Sequence, residues 1–151
     1  MHSTRTTAAV LAVCGAAALA LAAAPAQAAS GSVHLYKIYY NSPGTDTRSA
    51  SSLNAEYVQI KNTTTRNVSL RGWSVTDASA HKYTFPAFTL GAGKTVTIHT
   101  GKGTNTAANR YWGSGNYIWN NDRDTATLKN FVGTRIGACS YNSTSSSYKI
   151  C

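Results

Sequence analysis

From Asn54 to Leu128 the chain is written in short apolar–polar alternations separated by turn residues. Glu56-Tyr57-Val58-Gln59-Ile60-Lys61-Asn62 is followed by Leu70-Arg71-Gly72-Trp73-Ser74-Val75-Thr76-Asp77 and by Tyr83-Thr84-Phe85-Pro86. Next come Gly91 to Gly101, with Val96 and Ile98 alternating against Thr95, Thr97 and His99, and then Asn120 to Leu128. A period of two puts successive side chains on opposite faces of a pleated strand. Runs this short, with turn signals about every 8–12 residues, point to an all-β sandwich or barrel.

The alternation assigns faces. Ser32 to Tyr40 reads as a strand with Leu35, Lys37 and Tyr39 on one side and His34, Tyr36, Ile38 and Tyr40 on the other. Val58 and Ile60 should point inward, and Trp73 with Val75 should form the centre of the core. Asn41-Ser42-Pro43-Gly44 is a turn signal, and the polar residues after it make 41–53 an exposed Ser-rich loop. Thr104 to Asn121 is less periodic and reads as a long structured loop with a short strand near Tyr117 to Trp119. Arg135 to Tyr141 is the last clear strand before Tyr148 to Cys151.

The first 28 residues have another character. Arg5 precedes an Ala/Leu/Val stretch from Ala8 to Ala24, Pro25 breaks it, and Ala26-Gln27-Ala28 is an A-x-A site. This is the form of a secretory signal peptide cleaved after Ala28, leaving one domain over 29–151. A retained anchor and lipidation at Cys14 are the alternatives, although Val13 stands where a lipoprotein signal wants a small residue. The expected location is extracellular or at the cell envelope, with no stable membrane anchor. In an oxidising compartment the remaining pair, Cys139 and Cys151, should form one disulfide that staples the C-terminal segment 139–151.

Formal net charge is +9, or about +8 once Arg5 leaves with the signal. A basic secreted domain attracts anionic surfaces such as wall polymers, acidic polysaccharides, phospholipid heads or stray nucleic acid. With five acidic residues in the whole chain, few acid–base pairs are available. Glu56 and Asp77 are the only carboxylates that could serve a hydrolase outside the loop and turn acids, and no nucleophile motif accompanies them. His34, His81 and His99 lack close ligand spacing, so no metal is assigned to them. Asn120, Asp122 and Asp124 alternate like the first ligands of a calcium loop, but Thr125 and Phe131 stand where that loop needs Gly and Glu. The segment is therefore read as turn chemistry, with calcium the alternative and no cofactor expected. Arg110, Tyr111, Trp112, Tyr117, Trp119 and Asn121 combine rigid aromatics with polar groups and are the candidate ligand surface. The competing reading is that these aromatics close one end of a small core.

Taken in order, these blocks resemble a bacterial lamin-tail domain. Small secreted members also carry an aromatic strand followed by Ser42-Pro43-Gly44, a His-Thr-Gly-x-Gly run (His99 to Gly103), Arg110 to Gly113 and Trp119 to Asn121. The resemblance implies an immunoglobulin-like β-sandwich without established catalytic residues. It also implies an interaction module, since lamins use the domain that way and bacteria often attach it to secreted or membrane-linked hydrolases. Members usually have Gly where Arg123 stands, so a turn needing positive φ would strain this chain there. The expected function is a non-catalytic, monomeric binding module for an anionic polymer, a carbohydrate or a protein. A small hydrolase and a self-assembling envelope protein are the alternatives.

Overall fold

The computed structural model describes residues 31–151. The signal peptide expected over 1–28 and the alternative at Cys14 fall outside the described residues. In chain order the elements are β1 (Val33–Tyr39), α1 (Ala50–Ala55), β2 (Tyr57–Asn62), β3 (Val68–Ser69), β4 (Ser74–Thr76) and β5 (Lys82–Thr84). There follow β6 (Thr89–Leu90), β7 (Thr95–His99), β8 (Asn109–Tyr111), β9 (Arg123–Lys129), β10 (Arg135–Asn142) and β11 (Tyr148–Ile150). No helix among the described residues is long and apolar enough to cross a membrane.

A five-stranded sheet in the order β11-β1-β2-β7-β8 faces a four-stranded sheet in the order β10-β9-β4-β5, and β3 pairs with β6. Every pairing is antiparallel except β7 with β8. Val58 and Ile60 of β2 and Val96 and Ile98 of β7 are fully buried, as are Val75, Ala126 and Leu128 of the facing sheet. Each large apolar side chain removed from water contributes roughly 1.5–3 kcal/mol. Two inner faces of alternating apolar residues thus make a β-sandwich, as the period of two required.

Four details differ from the sequence expectation. β1 does not alternate strictly: its register against β2 shifts between Leu35 and Lys37, so Val33 and Leu35 point inward and then Ile38 and Tyr40 do. The extra residue of a β-bulge reverses the phase, and Lys37 and Tyr39 face outward, away from the side that Leu35 occupies. Residues 41–53 are not wholly an exposed loop. Ser49 caps α1 by accepting from the Ser52 amide, and Leu53 and Ser42 are buried. Trp73 only partly reaches the core, because it lies in the turn before β4, and Trp119 is instead the largest fully buried side chain. The strand expected at Tyr117 to Trp119 is found at Asn109–Tyr111, for a reason given below.

Arg123 causes no strain. It opens β9 in extended conformation, its amide donating to the Asp122 carboxylate, and the described non-glycine residues with positive φ are Arg48 and Ala80.

Cys139 and Cys151 are joined, with their Cα atoms 5.6 Å apart. Cys139 lies on β10 and Cys151 follows β11, so the bond crosses from one sheet to the other instead of closing a simple hairpin. The Cys151 amide donates to the Tyr36 carbonyl at the bulge, which seats β11 on the edge of β1. Replacing both cysteines by serine should cost about 3 kcal/mol of stability, given the short loop. In hydrogen exchange the amides of Tyr148–Ile150 should lose protection before those of β2 or β7. Unchanged protection there would show that strand pairing alone holds β11.

Candidate functional site

Glu56 stands just before β2 and is fully buried. Its Oε1 accepts from the Thr100 hydroxyl at 2.6 Å and from the amides of Ile118 at 2.8 Å and Trp119 at 3.2 Å. The Glu56 carbonyl accepts from the Thr100 amide. Two N–H groups that a strand at 117–119 would need for a ladder are therefore spent on a carboxylate. That is why this segment remains a loop and why Ile118 and Trp119 are drawn into the core. Burial pushes the Glu56 pKa up to about 7, against the opposing effect of its three donors. Its Oε2 has no partner.

The other acidic residues serve turns. Both Asp77 oxygens are taken by His81, one by the backbone amide at 2.7 Å and one by ring Nδ1 at 2.6 Å. Among the described residues no hydroxyl or thiol bonds the other ring nitrogen, so this pair lacks the nucleophile of a hydrolytic triad. Asp124 accepts from the amides of Ala78, Asn120 and Thr125 and from the Asn120 side chain. Asn120 points a donor at Asp124, opposite to what shared calcium ligation would need, and Asp122 accepts from the Arg123 amide. Among the described residues no group of three or more His, Cys, Asp or Glu side chains is placed to hold a metal ion.

The expected ligand surface divides. Trp119 is buried, and Trp112 packs edge-on against it and tilted against Tyr83. Arg110 turns inward and lays its guanidinium over the Phe88 ring, 4.1 Å from the centroid. The Tyr117 hydroxyl contacts Ser52 and the Arg48 amide, and Asn121 reaches Asp46, so these two tie the Ser-rich loop down. Only Tyr111 looks outward from the sheet, and there it has company.

Tyr148 pairs in register with Tyr39, Tyr39 with Tyr57, Tyr57 with His99, and His99 with Tyr111. One aromatic or imidazole ring from each strand thus forms an unbroken row across the outer face of the five-stranded sheet. Successive centroids lie 6.1, 5.4, 5.9 and 5.1 Å apart. The Lys37 ammonium sits among the first three rings, 4.4 Å from Tyr148, 5.4 Å from Tyr39 and 5.7 Å from Tyr57. The neighbouring row places Ile150, Lys37, Gln59, Thr97 and Asn109 in register. None of the five strands carries an Asp or Glu.

The two ends of the row are built differently. A Cβ on Gly103 would come 2.3 Å from the Tyr111 ring, and one on Gly101 would come 2.5 Å from the Asn54 side chain. Both glycines of the His99 to Gly103 run therefore permit close packing. Tyr111 is held between Gly103 and His99, whose Nδ1 bonds the Asn54 carbonyl and whose Nε2 bonds the Asn109 side chain. Tyr148, half-exposed, with Tyr39 and Tyr57 beside it, makes the open end.

Sequence reasoning missed this row because its members come from five strands. Each looked like an ordinary outward strand residue, and the β1 bulge hid the facing of Tyr39. Glu56 gives a separate, measurable signature. Its pKa is raised from 4.5 in the unfolded range to about 7 in the fold, so its contribution is fully present below pH 4.5 and lost as pH rises through 7. The loss is on the order of 3 kcal/mol. Relative to Glu56→Gln, which cannot ionise, the protein should lose that stability in urea titrations between pH 4.5 and 8. A pH-independent difference would show that the carboxyl titrates normally.

The family model for the Lamin Tail Domain matches residues 26–143, which leaves β11, with Tyr148, and Cys151 beyond the matched span. A search of curated proteins returns no match. With the match covering most of the chain and the sandwich on the page, the protein belongs to the lamin-tail domain family.

Proposed function

We propose that this protein is a secreted, non-catalytic binding module that takes an anionic polysaccharide across the outer face of its five-stranded sheet. The observation that carries the reading is the register row from Tyr148 to Tyr111, with the Lys37 ammonium among its open rings and no carboxylate on the strands. Sugar rings present apolar C–H faces that rest on aromatic side chains, and their acidic substituents need a fixed cation. Lys37 supplies a cation at the open end, and Gln59 and Thr97 present hydrogen-bonding groups in the next row. Neighbouring strands lie about 4.8 Å apart, so the row spans roughly 19 Å and suits an extended polymer better than a single small molecule.

Catalysis finds little support in the same geometry. Glu56 is sealed in the core and Asp77 is saturated by His81, so neither faces a shared cleft. Self-assembly through sheet edges is also disfavoured, because edge strands β5, β8 and β11 have three residues each and β10 carries a bulge.

The reading is tested by measuring binding of polygalacturonate, neutral dextran and single-stranded DNA across a salt series. Polygalacturonate should bind and weaken with salt, and dextran should not bind. Tyr39→Ala and Tyr57→Ala should each weaken polygalacturonate binding by about tenfold, the scale of one lost stacking contact, with the fold intact. Affinity unchanged in both variants would remove the row from the site. Equal or tighter binding of DNA at every salt concentration would replace the polysaccharide with nucleic acid.

A further inference from the structure

The β9–β10 turn presents an exposed apolar tip. Phe131 is 72% exposed and Val132 is 66% exposed, more than any other large apolar side chain described. A Cβ on Gly72 would come 3.2 Å from that of Phe131, so the base of Phe131 lies over Gly72 while most of its side chain stays exposed. The tip is nevertheless well ordered by Asn130. The Asn130 amide donates to the Thr134 carbonyl, and the Gly133 amide donates to the Asn130 carbonyl. The Asn130 side-chain oxygen accepts from the amides of Val132 and Thr134. The amides of Asn130, Val132, Gly133 and Thr134 are therefore satisfied within the turn, which lowers the desolvation cost of moving it out of water.

Charge decides what such a tip would meet. All five acidic residues gather at the opposite end of the molecule. Glu56 holds the amides of Ile118 and Trp119, Asp46 bonds Asn121, and Asp124 bonds Ala78, the residue after Asp77, while Asp122 lies between. From that end β2 runs to Asn62 and β9 runs to Lys129. Lys129 and Arg135 pair across the base of the tip, and Arg71 adjoins the Gly72 beneath Phe131. All three bases are exposed, and the ion pairs described involve none of them.

We propose that the Phe131–Val132 tip is a docking site for an anionic lipid bilayer. Phe131 and Val132 enter the boundary between head groups and acyl chains. Lys129, Arg135 and Arg71 meet the lipid phosphates around them. With three exposed bases and no acidic residue around it, the tip end is favoured to approach an anionic bilayer. Two apolar side chains and three bases make a reversible attachment that leaves the aromatic row on the sheet face free.

The test is flotation with vesicles of phosphatidylcholine alone and of equal parts phosphatidylcholine and phosphatidylglycerol, at low and high salt. Binding to the anionic vesicles at low salt is expected, with little to the neutral ones. Phe131→Ser with Val132→Ser should weaken it at least about tenfold while circular dichroism stays unchanged. Lys129→Gln and Arg135→Gln should each weaken it roughly fivefold. Tyr39→Ala with Tyr57→Ala should float like the unaltered protein, which separates this surface from the proposed polysaccharide face. No flotation at low salt would overturn the proposal, as would full flotation of the Phe131/Val132 variant. If that variant instead abolishes a concentration-dependent dimer and leaves flotation unchanged, the tip meets a second copy of the chain and the lipid proposal fails.

Discussion

The buried carboxyl of Glu56 is the interaction on which the arrangement of this domain turns. It bonds Thr100 through both side chain and backbone, which pins residue 56 opposite residue 100. The next pair along is then Tyr57 with His99, and the register of β2 against β7 follows. A slip of one residue would turn Val58, Ile60, Val96 and Ile98 out of the core and the aromatic row into it. The same oxygen holds the amides of Ile118 and Trp119, which places the largest buried side chain of the sandwich. A single ionisable group therefore sets a strand register, a loop conformation and part of the core. An unfavourable pKa is the consequence of putting a carboxyl where it can reach all three.

How much of this was legible in the sequence depended on the range of the signal. Val58/Ile60 and Val96/Ile98 announce buried faces through spacing alone, and the structure buries all four. Period-two patterning is a local property and survives in any sandwich. The facing of β1 was not legible, because a bulge adds one residue without any marker in Tyr36-Lys37. Nor was α1, a six-residue helix whose sequence has too few turns to show a period and whose cap lies in a Ser-rich stretch. The expected strand near Tyr117 failed for a different reason. Its residues have suitable side chains, but their amides are claimed by Glu56, some sixty residues earlier in the chain.

The aromatics show the same limit more sharply. Trp112, Tyr117 and Trp119 are close in sequence, and closeness in sequence within a loop says little about shared exposure. In the fold they point in different directions: Trp119 into the core, Trp112 along its edge, Tyr117 toward the Ser-rich loop. The residues that share a surface are Tyr39, Tyr57, His99, Tyr111 and Tyr148, which come from separate strands. Only Tyr111 belongs to both groups. Its neighbours on the sheet become visible once four registers are known, and one of those depends on a strand that the disulfide helps to seat.

The formal charge understates how basic the surface is. Of the five acidic residues, Glu56, Asp77 and Asp124 are buried and occupied by internal hydrogen bonds. Only Asp46 and Asp122 are exposed, whereas most of the described lysines and arginines are. Glu56, moreover, titrates near neutrality, so part of its negative charge is absent at physiological pH. The fold thus consumes its anions to fix loops and leaves its cations unspent, some beside aromatic rings on a sheet face and others beneath an apolar turn. Lys37 shows why that placement matters more than the total. A cation held among three tyrosine rings is fixed in direction, and a fixed charge next to apolar surface can select a ligand, whereas the same charge on a free side chain mainly speeds encounter.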